Sequence, residues 1–308
     1  MTLPPRQRTL SLVLGSGGAR GLAHIGVIRW LEEEGYRIAS IAGCSIGALI
    51  GGLHATSKLA AYERWLLGRS RRELLALVDV TLPRTGLIAG DKLAEVLRDL
   101  IGDVAIEALP IRFTAVAANI ETGREVWLTR GPLLEAIRAS IAIPVLFPPY
   151  RLNGGLLVDG GILNPVPIAP TLGDDTDLTI AINVSGQVQL AADAPEIPPA
   201  SADSESGYLR RAVNNLRKRS AVPVSWQMLD IATQAFDAMQ STIARQKMAA
   251  YPPDILVEIP RNLCRIHEFH RAAELIEVGY RMAAEIIPRE LDRAGPRRQA
   301  PLGPSHPG

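Results

Sequence analysis

Five residues, Gly43-Cys44-Ser45-Ile46-Gly47, constrain this chain more than any other feature. They lie between an apolar run that reads as a strand, Ile38-Ala39-Ser40-Ile41-Ala42, and a small-residue helix start, Ala48-Leu49-Ile50-Gly51-Gly52-Leu53. A G-x-S-x-G turn from strand to helix crowds its own backbone. Positions 43 and 47 must therefore be glycine, and the hydroxyl of Ser45 is pushed out at the end of a sheet.

The rest of the chain is read for what such a serine needs. With 308 residues, 47% apolar and 21% charged, it can bury a sizeable core and is neither disordered nor fibrous in composition. A formal net charge of +1 gives no global electrostatic case for nucleic acid, so affinity for an anionic surface would need a local patch. Two cysteines, Cys44 and Cys264, are too few for a disulfide framework and fit a reducing compartment. Cys44, inside the elbow, is expected to pack rather than react. The apolar run Leu10–Leu14 after Arg6 and Arg8 is too short for a secretory h-region and reads as a first strand. No stretch approaches roughly 18 uninterrupted apolar residues, the length of a membrane span. The expected setting is cytoplasmic.

From Thr9 to about Asn183 the pattern alternates strand and helix, which predicts a three-layer α/β/α fold around a mostly parallel central sheet. Thr9–Leu14 reads as strand one, followed by the loop Gly15-Ser16-Gly17-Gly18-Ala19-Arg20-Gly21 and a helix from about Leu22 to Glu34 that Gly35 stops. Ile38–Ala42 is strand two. Helices are expected around Tyr62–Leu67, Asp91–Ile101 and Leu133–Ser140. Ile111–Asn119 and Glu125–Thr129 read as a hairpin around Thr122-Gly123. Leu156–Val158 and Leu178–Asn183 are further strands. Trp226–Gln246 reads as a helix, Asp254–Ile259 as a late strand and His267–Ile287 as a closing helix. In domain terms, residues 1–8 form an N-terminal extension, 9–290 one catalytic domain, and 291–308 a disordered Pro/Gly-rich tail. Gln189 to about Gly207 is rich in Ala, Pro, Ser and acidic side chains, and residues 185–225 are expected to be a mobile insertion or lid.

A serine hydroxyl needs a base within hydrogen-bond reach and donors for the oxyanion that forms when a carbonyl is attacked. The Gly15–Gly21 loop follows a strand and opens a helix, so its free N–H groups make an anion site, with Gly17 and Gly18 allowing close approach. A dinucleotide loop would need glycine where Arg20 stands and an acidic residue at the end of strand two. A Walker A loop would need Gly-Lys-[Ser/Thr]. For the base there are two routes. One is histidine, from among His24, His54, His267, His270 and His306, with His267 and His270 in the Ser…Asp…His order of the α/β-hydrolases. The other is a carboxylate, best supplied by Asp159, which ends a short apolar strand and is followed by Gly160-Gly161. A turn-forming Asp-Gly is the plainer reading of that residue alone.

Taken together, the Gly-rich loop with a basic residue before its last glycine, the G-x-S-x-G elbow and Asp159-Gly160-Gly161 resemble the patatin-like phospholipases. The stretch Leu14–Val27 is especially similar to bacterial members related to the esterase domain of neuropathy target esterase. Arg138–Pro149 and Asn164-Pro165-Val166-Pro167 extend the likeness. Ser16 departs from it, since the family's loop begins Gly-Gly-Gly. The resemblance implies Ser45 as nucleophile, Asp159 as its base and Gly17 and Gly18 as oxyanion donors. Ser16, Arg20 and Gly21 would support the loop, and Gly43 and Gly47 the elbow. It implies hydrolysis of a phospholipid or lysophospholipid ester through an acyl-serine, with no metal or organic cofactor.

Two rival functions share these residues. An acyltransferase of related fold would carry G-H-S-x-G and a dedicated histidine, whereas Cys44 precedes Ser45 here. A non-catalytic, lipid-responsive regulator would not need Ser45, Asp159 and the loop intact. Tyr208–Arg219 places Leu209, Ala212, Val213 and Leu216 on one helical face beside Arg210, Arg211, Arg217, Lys218 and Arg219. That pattern reads either as a solvated helix packed on the domain or as a peripheral contact with the inner membrane face.

Overall fold

The structure, a computed structural model, describes residues 8–78, 91–144, 146–188 and 226–294. Residues 1–7 of the N-terminal extension, most of the 185–225 insertion, the 208–219 segment and the tail from 295 lie outside the described residues.

An eight-stranded mixed sheet organises the molecule. Central β1 (Thr9–Leu14) runs parallel to β2 (Arg37–Cys44) on one side and to β7 (Leu178–Gly186) on the other. β3 (Arg112–Asn119) extends the parallel pairing from β2, and β8 (Ile255–Pro260) extends it from β7. The remaining pairs are antiparallel: β4 (Arg124–Leu128) and β6 (Gly155–Asp159) with β3, and β5 (Tyr150–Leu152) with β6.

The described helices are α1 (Ala23–Glu33), α2 (Ile46–Ala55), α3 (Leu59–Leu67), α4 (Arg71–Val78), α5 (Asp91–Ile101), α6 (Leu133–Ser140), α7 (Trp226–Ala250) and α8 (Ala272–Ala294). The period-2 alternation of β1 sorts them into layers. Leu10, Leu12 and Leu14 join the large core with α1, α2 and α8, whereas Val13 turns the other way onto Ala244 and Met248 of α7. The result is the expected α/β/α arrangement. No helix among the described residues is long and apolar enough to cross a membrane.

One detail of the sheet positions the site. On β3, Val116 pairs with Cys44 of β2 and Trp127 of β4, and the next residue, Ala117, pairs with Asp159 of β6 and Val126 of β4. β4 lies along Ala115–Asn119 on one edge of β3, opposite β2 at Ala115 and Val116 and opposite β6 at Ala117–Asn119, so β2 and β6 share the other edge, meeting end to end. The C-terminus of β2, just before Ser45, and the C-terminus of β6, at Asp159, thus face each other across one rung.

The structure corrects several expectations. The closing helix begins at Ala272, not His267, because side chains take over the turn before it. Arg271 Nη1 donates to Leu263 O (2.7 Å), and Glu268 Oε2 accepts from Arg265 N (3.0 Å). That helix runs on through Ala294, so residues 291–294 are helical and not tail. The second half of the Gly-rich loop is a 3-10 turn, Gly18–Leu22, that leads into α1. The helix expected at Trp226–Gln246 continues to Ala250, and α4 and β5 come as additions.

Candidate active site

Ser45 sits on the turn from β2 to α2 with φ 55° and ψ −125°, one of three described non-glycine residues with positive φ. L-residues avoid that region, and a serine held there stores strain that its surroundings must outweigh. Those surroundings are tight. A Cβ on Gly47 would lie 2.0 Å from Leu14 O, and one on Gly43 would lie 2.5 Å from Gly47 O. Both neighbours are backbone, so neither contact could relax. Ser140 Oγ accepts from Ser45 N (2.9 Å) and donates to Val116 O (2.6 Å), tying the elbow to β3 through α6. Ser45 O in turn accepts from Ala48 N and Leu49 N, which starts α2.

Asp159 is fully buried. Its N–H donates to Ala142 O (2.9 Å), and its Oδ1 accepts from Gly161 N (2.7 Å), closing the turn that follows. Cys44 Sγ makes a longer, weak contact to the same oxygen at 3.9 Å. Oδ2 has no well-formed partner. Burial pushes the Asp159 carboxyl up to about 6, against the lowering effects of the Ser45 hydroxyl, the Gly161 N–H and the Cys44 thiol. Burial also pushes the Cys44 thiol well above its ordinary value, reinforced by the charge of Asp159, so it is inert as a nucleophile.

The Gly-rich loop is pinned on both sides of its centre. Gly15 N donates to Ile182 O (3.0 Å), Ser16 N to Pro165 O (2.8 Å) and Ala19 N to Ile266 O (2.9 Å). The Gly17 and Gly18 N–H groups enter none of these bonds. Gly18 has φ +59°, and a Cβ there would meet Ile266 O at 2.6 Å. Arg20 is buried beneath the loop, donating from Nε to Gly17 O (3.1 Å), from Nη1 to Arg261 O (2.9 Å) and from Nη2 to Asp237 Oδ1 (2.7 Å). Gly21 packs against Ile46, the residue after the elbow serine.

Ser45 and Gly18 line a cavity that opens to solvent. Leu49, Tyr62, Leu66 and Phe147 are among its walls, so the lining is overwhelmingly apolar. Such a chamber suits a hydrocarbon chain.

The histidines divide. His24 is buried at the start of α1, with Nε2 2.9 Å from Gly15 O, and burial lowers its pKa to about 4, leaving it neutral. His54 lies 3.8 Å from Glu32, remote from the serine's contacts. His267 lines the cavity, but among the described residues no histidine hydrogen-bonds to Ser45 or Asp159. His306 lies outside the described residues. Sequence reasoning missed three residues that build the site. Ser140 carries a signal, since it falls inside the Arg138–Pro149 stretch. Asp237 and Gln240, which reach the loop from α7, carry only their i,i+3 spacing.

A serine on a strained strand-to-helix turn, a buried carboxylate across one rung and an apolar chamber at the mouth make this the layout of an ester hydrolase of the α/β class. The model of the patatin-like phospholipases matches residues 12–172, and the chain belongs to that family. It is thereby a lipid-ester hydrolase. An NTE family protein of Mycobacterium tuberculosis (strain ATCC 25618 / H37Rv) is 37% identical over 332 residues, covering 90% of this chain and 91% of the relative. Lysophospholipase NTE1 of Pyricularia oryzae is 29% identical over 290 residues, which is 92% of this chain but 19% of that protein. Among solved structures, VipD from Legionella pneumophila gives a TM-score of 0.45 at 15% identity, over 93% of this chain and 67% of that one.

Proposed function

We propose that the chain hydrolyses the acyl esters of phospholipids or lysophospholipids through a Ser45–Asp159 dyad. The observation that carries this reading is the meeting of Ser45 with the buried, partly satisfied carboxylate of Asp159 at the mouth of an apolar cavity. Asp159 takes the hydroxyl proton as Ser45 Oγ bonds to the ester carbonyl carbon. The Gly17 and Gly18 N–H groups meet the charge on the carbonyl oxygen. Collapse of the tetrahedral intermediate breaks the bond to the alcohol, which leaves with the proton from Asp159, and the acyl group stays on Ser45. Asp159 then deprotonates a water that attacks the acyl carbon. The acid departs, and the proton returns to Ser45. With a pKa near 6, Asp159 is ionised at neutral pH yet basic enough to accept a proton in the transition state.

The similarity to a protein named lysophospholipase supports a lysophospholipid among the substrates. A fluorophosphonate label tests the nucleophile, and turnover of lysophospholipid against short p-nitrophenyl esters tests the class. Label should be found on Ser45 and vanish in Ser45→Ala, and Asp159→Asn should slow both labelling and turnover. Labelling that persists in Ser45→Ala would overturn the mechanism, and labelling without ester turnover would favour the regulator. Acyl transfer to an added alcohol in preference to water would favour the acyltransferase. The reading also includes cytoplasmic residence and peripheral contact with the inner membrane face through residues 208–219. Neutralising Arg210, Arg211, Arg217, Lys218 and Arg219 should weaken binding to anionic vesicles, and unchanged binding would remove that part.

A further inference from the structure

Ser16 stands in the Gly-rich loop, and the structure gives its hydroxyl a partner. Gln240 of α7 donates from Nε2 to Ser16 Oγ at 3.0 Å, and both residues are buried, at 1% and 3% exposure. The same amide presses on the turn after Asp159. A Cβ on Gly161 would fall 2.1 Å from Gln240 Nε2, 2.8 Å from Ser16 Oγ and 3.0 Å from Asp159 Oδ1. Gly161 is the residue whose N–H holds Asp159 Oδ1. Loop, helix and carboxylate turn therefore converge on one point, and Gln240 fills the space between them.

The tie is repeated along α7. One turn earlier, Asp237 accepts from Arg20, whose Nε holds Gly17 O. Two turns later, Lys247 pairs with Glu125 of β4, which also accepts from Asn164 Nδ2 (2.9 Å) just beyond the Asp159 turn. An uncharged amide buried in this way contributes little to net stability over an apolar side chain of equal volume. What it supplies is direction: a leucine or methionine could fill the space but could not fix where the loop stands.

We propose that Gln240 is a positioning residue for ester hydrolysis, setting the spacing between the oxyanion loop, through Ser16, and the Asp159 turn, through Gly161. This rests on the dyad reading above. Reaction rates fall steeply when oxyanion donors are misplaced by a fraction of an ångström, whereas ground-state binding in an apolar chamber does not.

The test is a double-mutant cycle on the full chain with p-nitrophenyl butyrate. Ser16→Ala and Gln240→Met should each lower kcat by about tenfold, with KM changed less than about twofold, and the double variant should lose about tenfold rather than a hundredfold, since both changes remove one link. Additive losses, a change confined to KM, or an unchanged kcat in the single variants would overturn the proposal. Losses that track a fall in the thermal midpoint would do the same. Should Gln240→Met fail to fold, Ser16→Ala against Ser16→Thr decides the matter. Restoration by the retained hydroxyl supports the link, and equal activity in the two overturns it. Failure of Ser45 to take a fluorophosphonate label in the unmodified chain would instead sink the dyad reading itself, and this inference with it.

Discussion

The two halves of the site are held by opposite means. Ser45 stands where parallel β2 turns into α2, and everything about it is overdetermined: glycines pressed against backbone, a strained φ, and a hydroxyl from Ser140 on its N–H. Asp159 stands at the end of an antiparallel strand that reaches the same rung from the opposite direction, and it is underprovided, with one oxygen bonded and one without a partner. One half spends steric strain to fix a position. The other carries an electrostatic penalty that keeps a carboxylate reactive.

That contrast can be broken experimentally. The largest expected effect is on chemistry: Ser45→Ala should lower kcat on the order of 10⁴-fold or more, with fold and lipid binding retained. Residual turnover near wild type would end the comparison at once. Next comes the steric half. Gly47→Ala forces a Cβ to 2.0 Å from Leu14 O, backbone against backbone, and should cost roughly 3 kcal/mol or more in urea unfolding, or prevent folding. A loss below about 1 kcal/mol would mean that the elbow is not tight.

The electrostatic half should respond with the opposite sign. Asp159 moves from 3.8 to about 6 on folding, so the folded state favours the protonated acid. The penalty is absent below the unfolded value and complete above about pH 6, where it reaches about 3 kcal/mol. Asp159→Asn should therefore be slower by about 10²- to 10⁴-fold yet more stable than the parent at pH 8, with the gain shrinking toward pH 5. In the parent, kcat/KM should rise with pH through a midpoint near 6. A less stable Asn variant at pH 8 would show that Asp159 is not penalised. The smallest effect concerns Cys44, whose thiol lowers the Asp159 pKa slightly. Cys44→Ala should move the acid limb of the kcat/KM profile upward by less than about half a pH unit. A downward move would reverse the assigned direction.

Legibility in the sequence follows the same divide. Thr9–Leu14, Asp91–Ile101 and Leu133–Ser140 are read with their bounds intact, because each carries a clean period and a turn residue at its edge. The elbow is legible because steric crowding leaves only glycine at two positions. Asp159 is legible as the end of a strand, but its direction is not: three or four apolar residues do not say which neighbour they pair with. Nor does the sequence reveal Gln240, since a buried amide on a long helix differs from a solvated one only in what it faces. The apolar period extends the closing helix back over His267 and His270, but Arg271 and Glu268 postpone its start by side-chain bonds that no periodicity reports.

β3, through its adjacent rungs Val116 and Ala117, gauges the distance between two segments distant in the chain. It works as a ruler. Loops on either side of it can lengthen without altering the gap between Ser45 and Asp159. Removing a single residue between Arg112 and Ala117 would instead turn the strand's faces over and shift one marker against the other by a step of about 3.3 Å. Insertions scanned through this chain should therefore be tolerated around β3 and forbidden within it.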